Sequence, residues 1–347
     1  MTVELLRALQ NERAFDPTVR FEELGALHMP FDEMHQTQDV EDRVRDAIRR
    51  AERVALIGTT GSGKSSTAAY VADPLDTAIV AFRIGVTVED TALLAHPGKF
   101  AQYVVRRIAR EATEIPEPQR AQLELEVADT RELRVGRSRR TSGRINAAVF
   151  ELAVELGSVS ASIDQQLTAH ELIEGLDHAL DLLRSTGAVP VLIIDDSDTW
   201  LEVEEHRLEE TQRAFFGPIM RMLAERNCGL VVAVDERYLD LPEYRPARDG
   251  FLPTEISVPR LRDSVALSML VKNRIDGFDN ANVVEAFAEP VLEEMFAAHV
   301  RHSLSLRALM RCANSALYHT CAAGSSRIGV EAFSASLREY AADVPHL

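Results

Sequence analysis

The segment RVALIGTTGSGKSS, Arg53 to Ser66, joins a hydrophobic run to a glycine-rich loop that ends in lysine and serine. It fits the pattern G-x-x-x-x-G-K-[ST], and its hydrophobic part predicts a strand that leads into the loop. Glycines allow successive backbone N–H groups to converge on an anion, and the following helix adds the positive end of its dipole. The segment therefore predicts a loop that binds the phosphates of a nucleoside triphosphate. The alternative is a glycine-rich turn that matches by chance, and the preceding strand disfavours it.

Two side chains of this loop have specific chemistry. Lys64 is expected between the β- and γ-phosphates, and the Ser65 hydroxyl is expected to bind Mg²⁺. The predicted cofactors are therefore ATP and Mg²⁺. The residues expected to contact the nucleotide are Gly58, Thr59, Thr60, Gly61, Ser62, Gly63, Lys64, Ser65 and Ser66.

A second motif, VLIIDDSD, places acids after an almost continuous apolar run. Asp195 is positioned to hold the magnesium shell, and Asp196 to orient or deprotonate an attacking water. The alternative interpretation is a capping pair at the end of a strand, with Ser197 or Asp198 as the cap of the next helix. Because the motif lies downstream of a phosphate loop, we favour the catalytic interpretation.

Strand and helix patterns alternate around these motifs. Apolar and β-branched runs predict strands at 54–57, 77–86, 188–196, 229–235 and 256–258. Val40, Val44 and Ile48 have helical spacing ahead of the first strand, and residues 210–227 read as one further helix. Strands that alternate with helices favour a doubly wound parallel sheet.

The pattern also predicts how the chain is divided. Residues 1–50 are expected to lead into an ATPase core over 51–258, which carries a mostly helical insertion at about 99–184. Residues 259–347 contain helical patterns only, about four of them. The predicted fold class is therefore α/β, a P-loop NTPase with a parallel sheet, a helical insertion and a C-terminal all-helical domain.

Composition limits the partners and the compartment. The net charge of −17 over 347 residues disfavours a protein that coats nucleic acid or anionic membrane with its whole surface. Three cysteines without metal-ligand spacing fit a reducing cytoplasm better than a disulfide framework. No run of about 18 apolar residues occurs, so we expect a cytoplasmic protein without a membrane segment.

Other phosphate-loop families lack support in this sequence. No L-S-G-G-Q-like signature precedes the acidic strand, and KNRID, the best match to the N-K-x-D motif of GTPases, lies in a predicted helix. The chain instead resembles the AAA+ ATPases of the origin-recognition and replication-initiator branch, with echoes of the STAND signalling ATPases in IIDDSD. The resemblance runs from about Pro30 to Ala341.

The resemblance implies roles for further residues. It places Asp235, at the tip of the fourth strand, as sensor 1, where asparagine, threonine or serine is more usual, and a strand-end cap remains the alternative. It makes Arg248 the best candidate for an arginine finger that reaches a neighbouring subunit, with Arg245 second. The C-terminal helices become a lid in which Arg307 is sensor 2, and His28 to Phe31 become part of the adenine pocket, although Phe31 is also a core candidate.

The predicted insertion carries a cluster of arginines in an otherwise acidic chain. A mobile arginine-rich loop is suited to contact the phosphate backbone of DNA, with a solvated linker or a subunit-interface patch as alternatives. The six residues are Arg131, Arg134, Arg137, Arg139, Arg140 and Arg144.

Two functional hypotheses follow from the resemblance. The first is an ATPase that forms homo-oligomers with ATP and acts on DNA or on a DNA-bound protein complex. The second is a regulatory ATPase of a defence or signalling system that controls a separate effector protein without touching DNA. A small-molecule kinase is a third class. The sequence ends at Leu347 without the winged-helix segment that usually follows the lid in initiators, so a protein partner is expected under both leading hypotheses.

Overall fold

A computed structural model describes residues 2–11, 13–16, 21–34, 39–72, 79–85, 96–113, 168–185, 187–195, 208–276 and 286–343. The α-helices in these ranges are α1 (Thr2–Asn11), α2 (Phe21–Leu24), α3 (Val40–Arg49), α4 (Lys64–Ala72), α5 (Pro97–Thr113), α6 (Ala169–Ser185), α7 (Leu208–Ala214), α8 (Met220–Ala224), α9 (Ser264–Asp276), α10 (Val291–His302), α11 (Leu306–Ala322) and α12 (Val330–Asp343). The strands are β1 (Arg53–Gly58), β2 (Ile79–Gly85), β3 (Val189–Asp195), β4 (Gly229–Asp235) and β5 (Thr254–Ser257). Two π-helical turns, Phe215–Ile219 and Ala247–Phe251, and a 3₁₀ turn, Glu236–Tyr238, complete the described elements.

The five strands form one parallel sheet in the order β2-β3-β4-β1-β5. β3 pairs with β2 from Ile79↔Val189 to Gly85↔Asp195, and it pairs with β4 from Val191↔Gly229 to Ile194↔Val232. Every residue of β4 is buried. Continuous burial of this kind is typical of parallel strands that are covered on both faces. The predicted α/β class with a parallel sheet and C-terminal helices is confirmed.

The helix predicted over residues 210–227 differs from the observed structure. It is divided into α7, the π-helical turn Phe215–Ile219 and α8. Pro218 lies inside that turn. Proline has no N–H to donate, and its ring crowds the carbonyl four residues earlier, so the regular α-helical ladder cannot continue through it. The wider π-helical turn accommodates the proline, and the helical stretch continues into α8.

The chain divides into two compact units, each with a hydrophobic core. The sheet unit comprises Arg43–Ile57 and Ala72–Ile256. In its core, Phe100, Val104 and Ile108 of α5 pack with Leu176 and Leu180 of α6. The spacing of three to four residues on both helices explains why one face of each is buried.

The helical unit comprises Met1–Asp42, Gly58–Val71 and Ser257–Leu347. It therefore contains the predicted phosphate loop and all of α4 except its last residue, together with α9 to α12. Its core is built from apolar residues of α1 and of the C-terminal helices, among them Leu9, Leu267, Met295, Leu309 and Phe333. No helix in the described ranges is both long enough and apolar enough to cross a lipid bilayer.

Candidate functional site: a glycine-rich loop and its surroundings

The predicted phosphate loop is a tight turn between β1 and α4. Gly61 and Gly63 have φ angles of 70° and 109°, a region that residues with a side chain rarely adopt. A Cβ atom added to Gly58 would lie 2.4 Å from the Ser62 Oγ atom, whereas one added to Gly63 would meet no atom within 4 Å. Glycine is thus required at Gly58 by space and at Gly63 by backbone conformation, which explains the spacing of the motif.

The Lys64 side chain folds back along the loop. Its Nζ atom donates hydrogen bonds to the Gly58 and Thr59 carbonyl oxygens at 2.8 and 2.9 Å, and the residue is buried. The loop itself is closed by a hydrogen bond from the Ser62 N–H to the Thr59 carbonyl, at 3.1 Å. An ammonium group held at the inner side of such a turn is placed to meet an anion bound by the loop.

The polar groups of the loop fit a phosphate ligand. The Ser62 Oγ atom is buried and has no hydrogen-bond partner in the described part of the chain. Thr67 anchors the start of α4, because its N–H and its hydroxyl both donate to the Gly63 carbonyl, at 2.8 and 3.0 Å. A buried polar atom without a partner, a buried cation and a helix N-terminus together form the donor set that phosphates require.

His28, expected in the base pocket, is buried at a junction beside this loop. Its Nδ1 atom lies 2.9 Å from the Ser66 Oγ atom, and its Nε2 atom lies 2.7 Å from Glu41 Oε1. The imidazole ring is 4.8 Å from the ring of Tyr70, centroid to centroid, and 5.7 Å from that of Phe31. Both ring nitrogens are therefore engaged by protein groups, and Phe31 is itself buried. That these residues line an adenine pocket stays a prediction.

The first turn of α11 touches the tip of the loop. The Leu306 N–H donates to the Gly61 carbonyl at 3.2 Å, and Ser305 caps the helix by accepting from the Ala308 N–H at 3.1 Å. Arg307 is the next residue after this contact and is exposed. The helical unit thus brings Arg307 next to the loop, and its role as sensor 2 stays a prediction.

Asp195, the last residue of β3, is buried and faces an arginine that sequence reasoning did not select. Arg83 Nε and Nη2 both lie 3.1 Å from Asp195 Oδ2. The Asp195 side chain is 1% exposed and that of Arg83 is 27% exposed. The pairing follows from the register Gly85↔Asp195, which brings the end of β2 alongside the end of β3. Arg83 is therefore the direct neighbour of the predicted magnesium ligand.

Asp235 forms a cap at the end of β4. Its side chain accepts from the Arg237 backbone N–H at 3.0 Å, and it pairs with Arg237 Nε at 2.9 Å. This geometry fixes the 3₁₀ turn Glu236–Tyr238 that follows the strand. The strand-end cap considered as the alternative role is thus observed, and a role as sensor 1 stays a prediction.

The two arginine-finger candidates are exposed on the sheet unit. Arg248 lies in the π-helical turn Ala247–Phe251, and its Nε atom is 3.5 Å from Glu255 Oε1. The buried Tyr244 donates its hydroxyl to the same carboxylate oxygen at 3.2 Å. Burial and the neighbouring carboxylate both raise the pKa of the Tyr244 hydroxyl, so it stays a donor. Arg245 is also exposed, and neither arginine is tested as a finger.

The buried cysteines have no reactive character. Burial raises the pKa of the Cys228 thiol to about 12 and that of Cys312 to about 11. Both therefore remain protonated near neutral pH, and a thiolate is the form that binds metals and attacks substrates.

Several predicted residues fall outside the described ranges. Asp196, the expected catalytic acid, is one of them. Ser197 and Asp198, the alternative helix-cap residues, also lie outside, as do the six arginines of the insertion, Arg131, Arg134, Arg137, Arg139, Arg140 and Arg144. Their roles stay predictions.

Solved structures of other proteins share this fold. The Orc1 protein of Aeropyrum pernix, solved in complex with DNA, matches 90% of this chain with a TM-score of 0.53 at 16% identity. The fold of this chain is similar to that of this Orc1 protein. The Orc2 protein of Aeropyrum pernix in its ADP form matches 89% of the chain with a TM-score of 0.51 at 13% identity.

The likeness is one of structure. This chain spans 66% of the length of the Orc1 protein and 70% of that of Orc2. No protein-family model matches the sequence, and no curated protein matches it. The likeness therefore lies in the arrangement of strands and helices, with few identical residues.

Proposed function

We propose that this chain is an ATPase that binds MgATP at the loop Gly58–Ser66, hydrolyses it and assembles with further copies in the ATP-bound state. The observation that carries the proposal is the loop itself. It combines two left-handed glycines and the buried Lys64 ammonium with a buried Ser62 hydroxyl that lacks a partner among the described residues. The Orc2 protein, whose fold is similar, was solved in its ADP form. This supports a nucleotide as the ligand of the loop.

Each residue of the proposed site has a distinct task. Lys64 would exchange its two carbonyl partners for oxygens of the β- and γ-phosphates, which are better acceptors for an ammonium because they are charged. Ser65 and Asp195 would supply the hydroxyl and the carboxylate that hold Mg²⁺, and the metal would neutralise charge on the phosphates. Asp196 is proposed to orient or deprotonate the attacking water. Asp235, at the end of β4, is proposed to act as sensor 1, which contacts the γ-phosphate or that water.

The arginines are proposed to stabilise charge that develops on the γ-phosphate. Arg307 would act from the first turn of α11, and Arg248, or Arg245 in its place, would reach the nucleotide of a neighbouring copy. Positive groups aimed at the transferred phosphoryl group are among the largest contributions to its transfer. A finger supplied by a second copy makes the ATPase rate depend on assembly.

The use of this ATPase is proposed to be action on DNA or on a DNA-bound complex. Two facts support it, the Orc1 neighbour that was solved with DNA and the six arginines of the insertion in an acidic chain. The second candidate is an ATP-dependent switch that controls an effector protein without DNA. The net charge of −17 favours it, since DNA repels such a chain everywhere outside a local basic segment.

The particle mass in solution separates these functions. The protein is measured by light scattering with ADP and with a non-hydrolysable ATP analogue, each with and without a long DNA duplex, beside a variant with the six arginines changed to glutamine. Growth with the ATP analogue and further growth on DNA, lost in the variant and weakened by salt, supports the DNA-acting assembly. Growth with the analogue alone supports the switch. A monomer in every condition contradicts ATP-driven assembly.

A further inference from the structure

The tip of the phosphate loop is in contact with the first turn of α11 through three residues, Gly61, Ser305 and Leu306. We call this the loop–helix contact. The Leu306 N–H donates to the Gly61 carbonyl at 3.2 Å. A Cβ atom added to Gly61 would lie 2.7 Å from the Ser305 Cβ atom and 2.8 Å from its Oγ atom. The two segments therefore approach so closely that only glycine fits at this point of the loop.

The helix side of this contact is rigidly built. Ser305 has extended backbone geometry, and its hydroxyl accepts from the Ala308 N–H while its carbonyl accepts from the Leu309 N–H at 3.0 Å. Only Ser303 and Leu304 separate the end of α10 from Ser305, and Leu304 is buried. The first turn of α11 is thus capped by its own serine and joined to α10 by a connection of two residues, one of them buried.

Arg307 is carried by the same turn. A Cβ atom on Gly61 would come within 3.3 Å of the Arg307 Cβ atom. The position of the arginine backbone is therefore set by the distance between the loop tip and the helix. The motif G-x-x-x-x-G-K-[ST] does not specify residue 61, and the helix cap at Ser305 is not part of it.

We propose that Gly61 and Ser305 are positioning residues, which hold Arg307 over the phosphate loop during ATP turnover through the loop–helix contact. This inference rests on the proposed ATPase function. Neither residue needs to touch the nucleotide for it. A side chain at residue 61 displaces α11, and a displacement of about 1 Å of a catalytic group is sufficient to reduce turnover about 100-fold.

A set of paired variants tests the proposal. Gly61→Ala introduces the clash, and Ser305→Gly removes both atoms that cause most of it. Ser305→Ala is the matched control, because it also removes the hydroxyl but keeps the Cβ atom. The strain of an alanine at a φ of 70° is present in every Gly61→Ala background, so it cancels when the variants are compared as a double-mutant cycle.

The first readout needs no nucleotide. Hydrogen exchange of the Leu306 amide should be at least about tenfold faster in Gly61→Ala, because its acceptor is displaced. The exchange rate in Gly61→Ala/Ser305→Gly should return to that of Ser305→Gly alone, and it should stay fast in Gly61→Ala/Ser305→Ala. Equal exchange rates in the wild type and Gly61→Ala would overturn the contact.

The second readout is ATP turnover at saturating ATP. We expect a loss of about 100-fold in Gly61→Ala, and recovery of most of it by Ser305→Gly but not by Ser305→Ala. Glycine is an accepted N-cap residue, so Ser305→Gly alone should have the smaller effect. If the wild type hydrolyses ATP but Gly61→Ala/Ser305→Gly does not recover turnover, this inference is overturned and the ATPase function is retained. If the variants show the expected exchange rates but the wild type binds no ATP, the proposed function is overturned instead.

Discussion

The pairing of Arg83 with Asp195 connects a single charge to the proposed chemistry. A carboxylate that is 1% exposed is costly to keep ionised unless a cation lies beside it, and Arg83 supplies that cation. Mg²⁺ is a second cation that the same carboxylate is proposed to bind. In the proposed site, the arginine and the metal would therefore stabilise the same charge.

This sharing leads to a prediction for Arg83→Ala. Without nucleotide the variant should lose about 3 kcal/mol of unfolding free energy, since a buried carboxylate loses its guanidinium partner. MgATP should stabilise the variant more than the wild type, because the metal then replaces the missing cation. Urea unfolding with and without MgATP measures both quantities, and Arg83→Lys is the charge-preserving control. An equal loss with and without MgATP would show that Asp195 does not meet the metal.

The geometry of a residue can be predicted from the sequence where a local motif contains it. The tight turn at the loop glycines and the position of Lys64 follow in this way, because their spacing within one short segment fixes the geometry, and their roles toward a nucleotide stay predictions. Arg83 could not be found, because its contact with Asp195 depends on the register between β2 and β3. The link from His28 to Glu41 and Ser66 was missed for the same reason, since it joins three separate segments.

At the scale of elements, α6 begins with a reciprocal cap that the sequence signals as T-x-x-E. The Thr168 N–H and hydroxyl donate to Glu171 Oε2 at 2.7 and 2.8 Å, and the Glu171 N–H donates to Thr168 Oγ1 at 3.3 Å. These bonds lower the pKa of the Glu171 carboxyl from its usual value of 4.5, the backbone hydrogen bond being the main cause. The helix start is therefore most stable with Glu171 ionised.

The sign of the pH dependence follows from that lowered pKa. Glu171 contributes to the free energy of unfolding at pH values above its unfolded-state pKa of 4.5. This contribution is lost as the pH falls through the lower pKa of the folded state. When the pH is lowered from neutral to below 4.5, the free energy of unfolding should therefore fall less in Glu171→Gln than in the wild type. Urea midpoints across this range test the prediction, with the exposed Glu174→Gln as control. If the urea midpoint of Glu171→Gln falls with pH as steeply as that of the wild type, the prediction is contradicted.

The elements themselves were well predicted where apolar patterns are continuous. The run before Asp195 predicted a strand at 188–196, and β3 occupies Val189–Asp195. The helix predicted over 210–227 is observed as a continuous helical stretch from Leu208 to Ala224, but it widens to a π-helical turn at Pro218, although the proline was visible in the sequence. A proline shows that a helix must change there, but the surrounding packing decides whether the chain ends, bends or widens into a π-turn.

At the scale of the whole molecule, the parallel sheet and the C-terminal helices were predictable from the alternation of patterns and are confirmed. The grouping of Gly58–Val71 with the first 42 residues and the C-terminal helices was not predictable. It depends on contacts between distant segments. For example, the Asn273 side-chain amide donates hydrogen bonds to the Leu27 and His28 carbonyl oxygens, both at 3.2 Å. Such contacts leave no local signal.

This grouping suggests how ATP could act on the molecule. The loop that is proposed to bind phosphate shares a unit with α9 to α12, and the loop–helix contact joins the two directly. Binding energy at the loop would therefore bias the position of α11. The same energy could then be passed to a neighbouring copy, to DNA or to an effector.

The central claim is that the loop Gly58–Ser66 binds MgATP, and calorimetric titration of the purified protein tests it most directly. We predict one site per chain in the wild type and in Lys99→Ala, which removes an exposed lysine of α5. Lys64→Ala should bind at least about 100-fold more weakly, since it loses the buried ammonium of the loop. Equal affinity in the wild type and Lys64→Ala, or no binding to the wild type, would contradict the account.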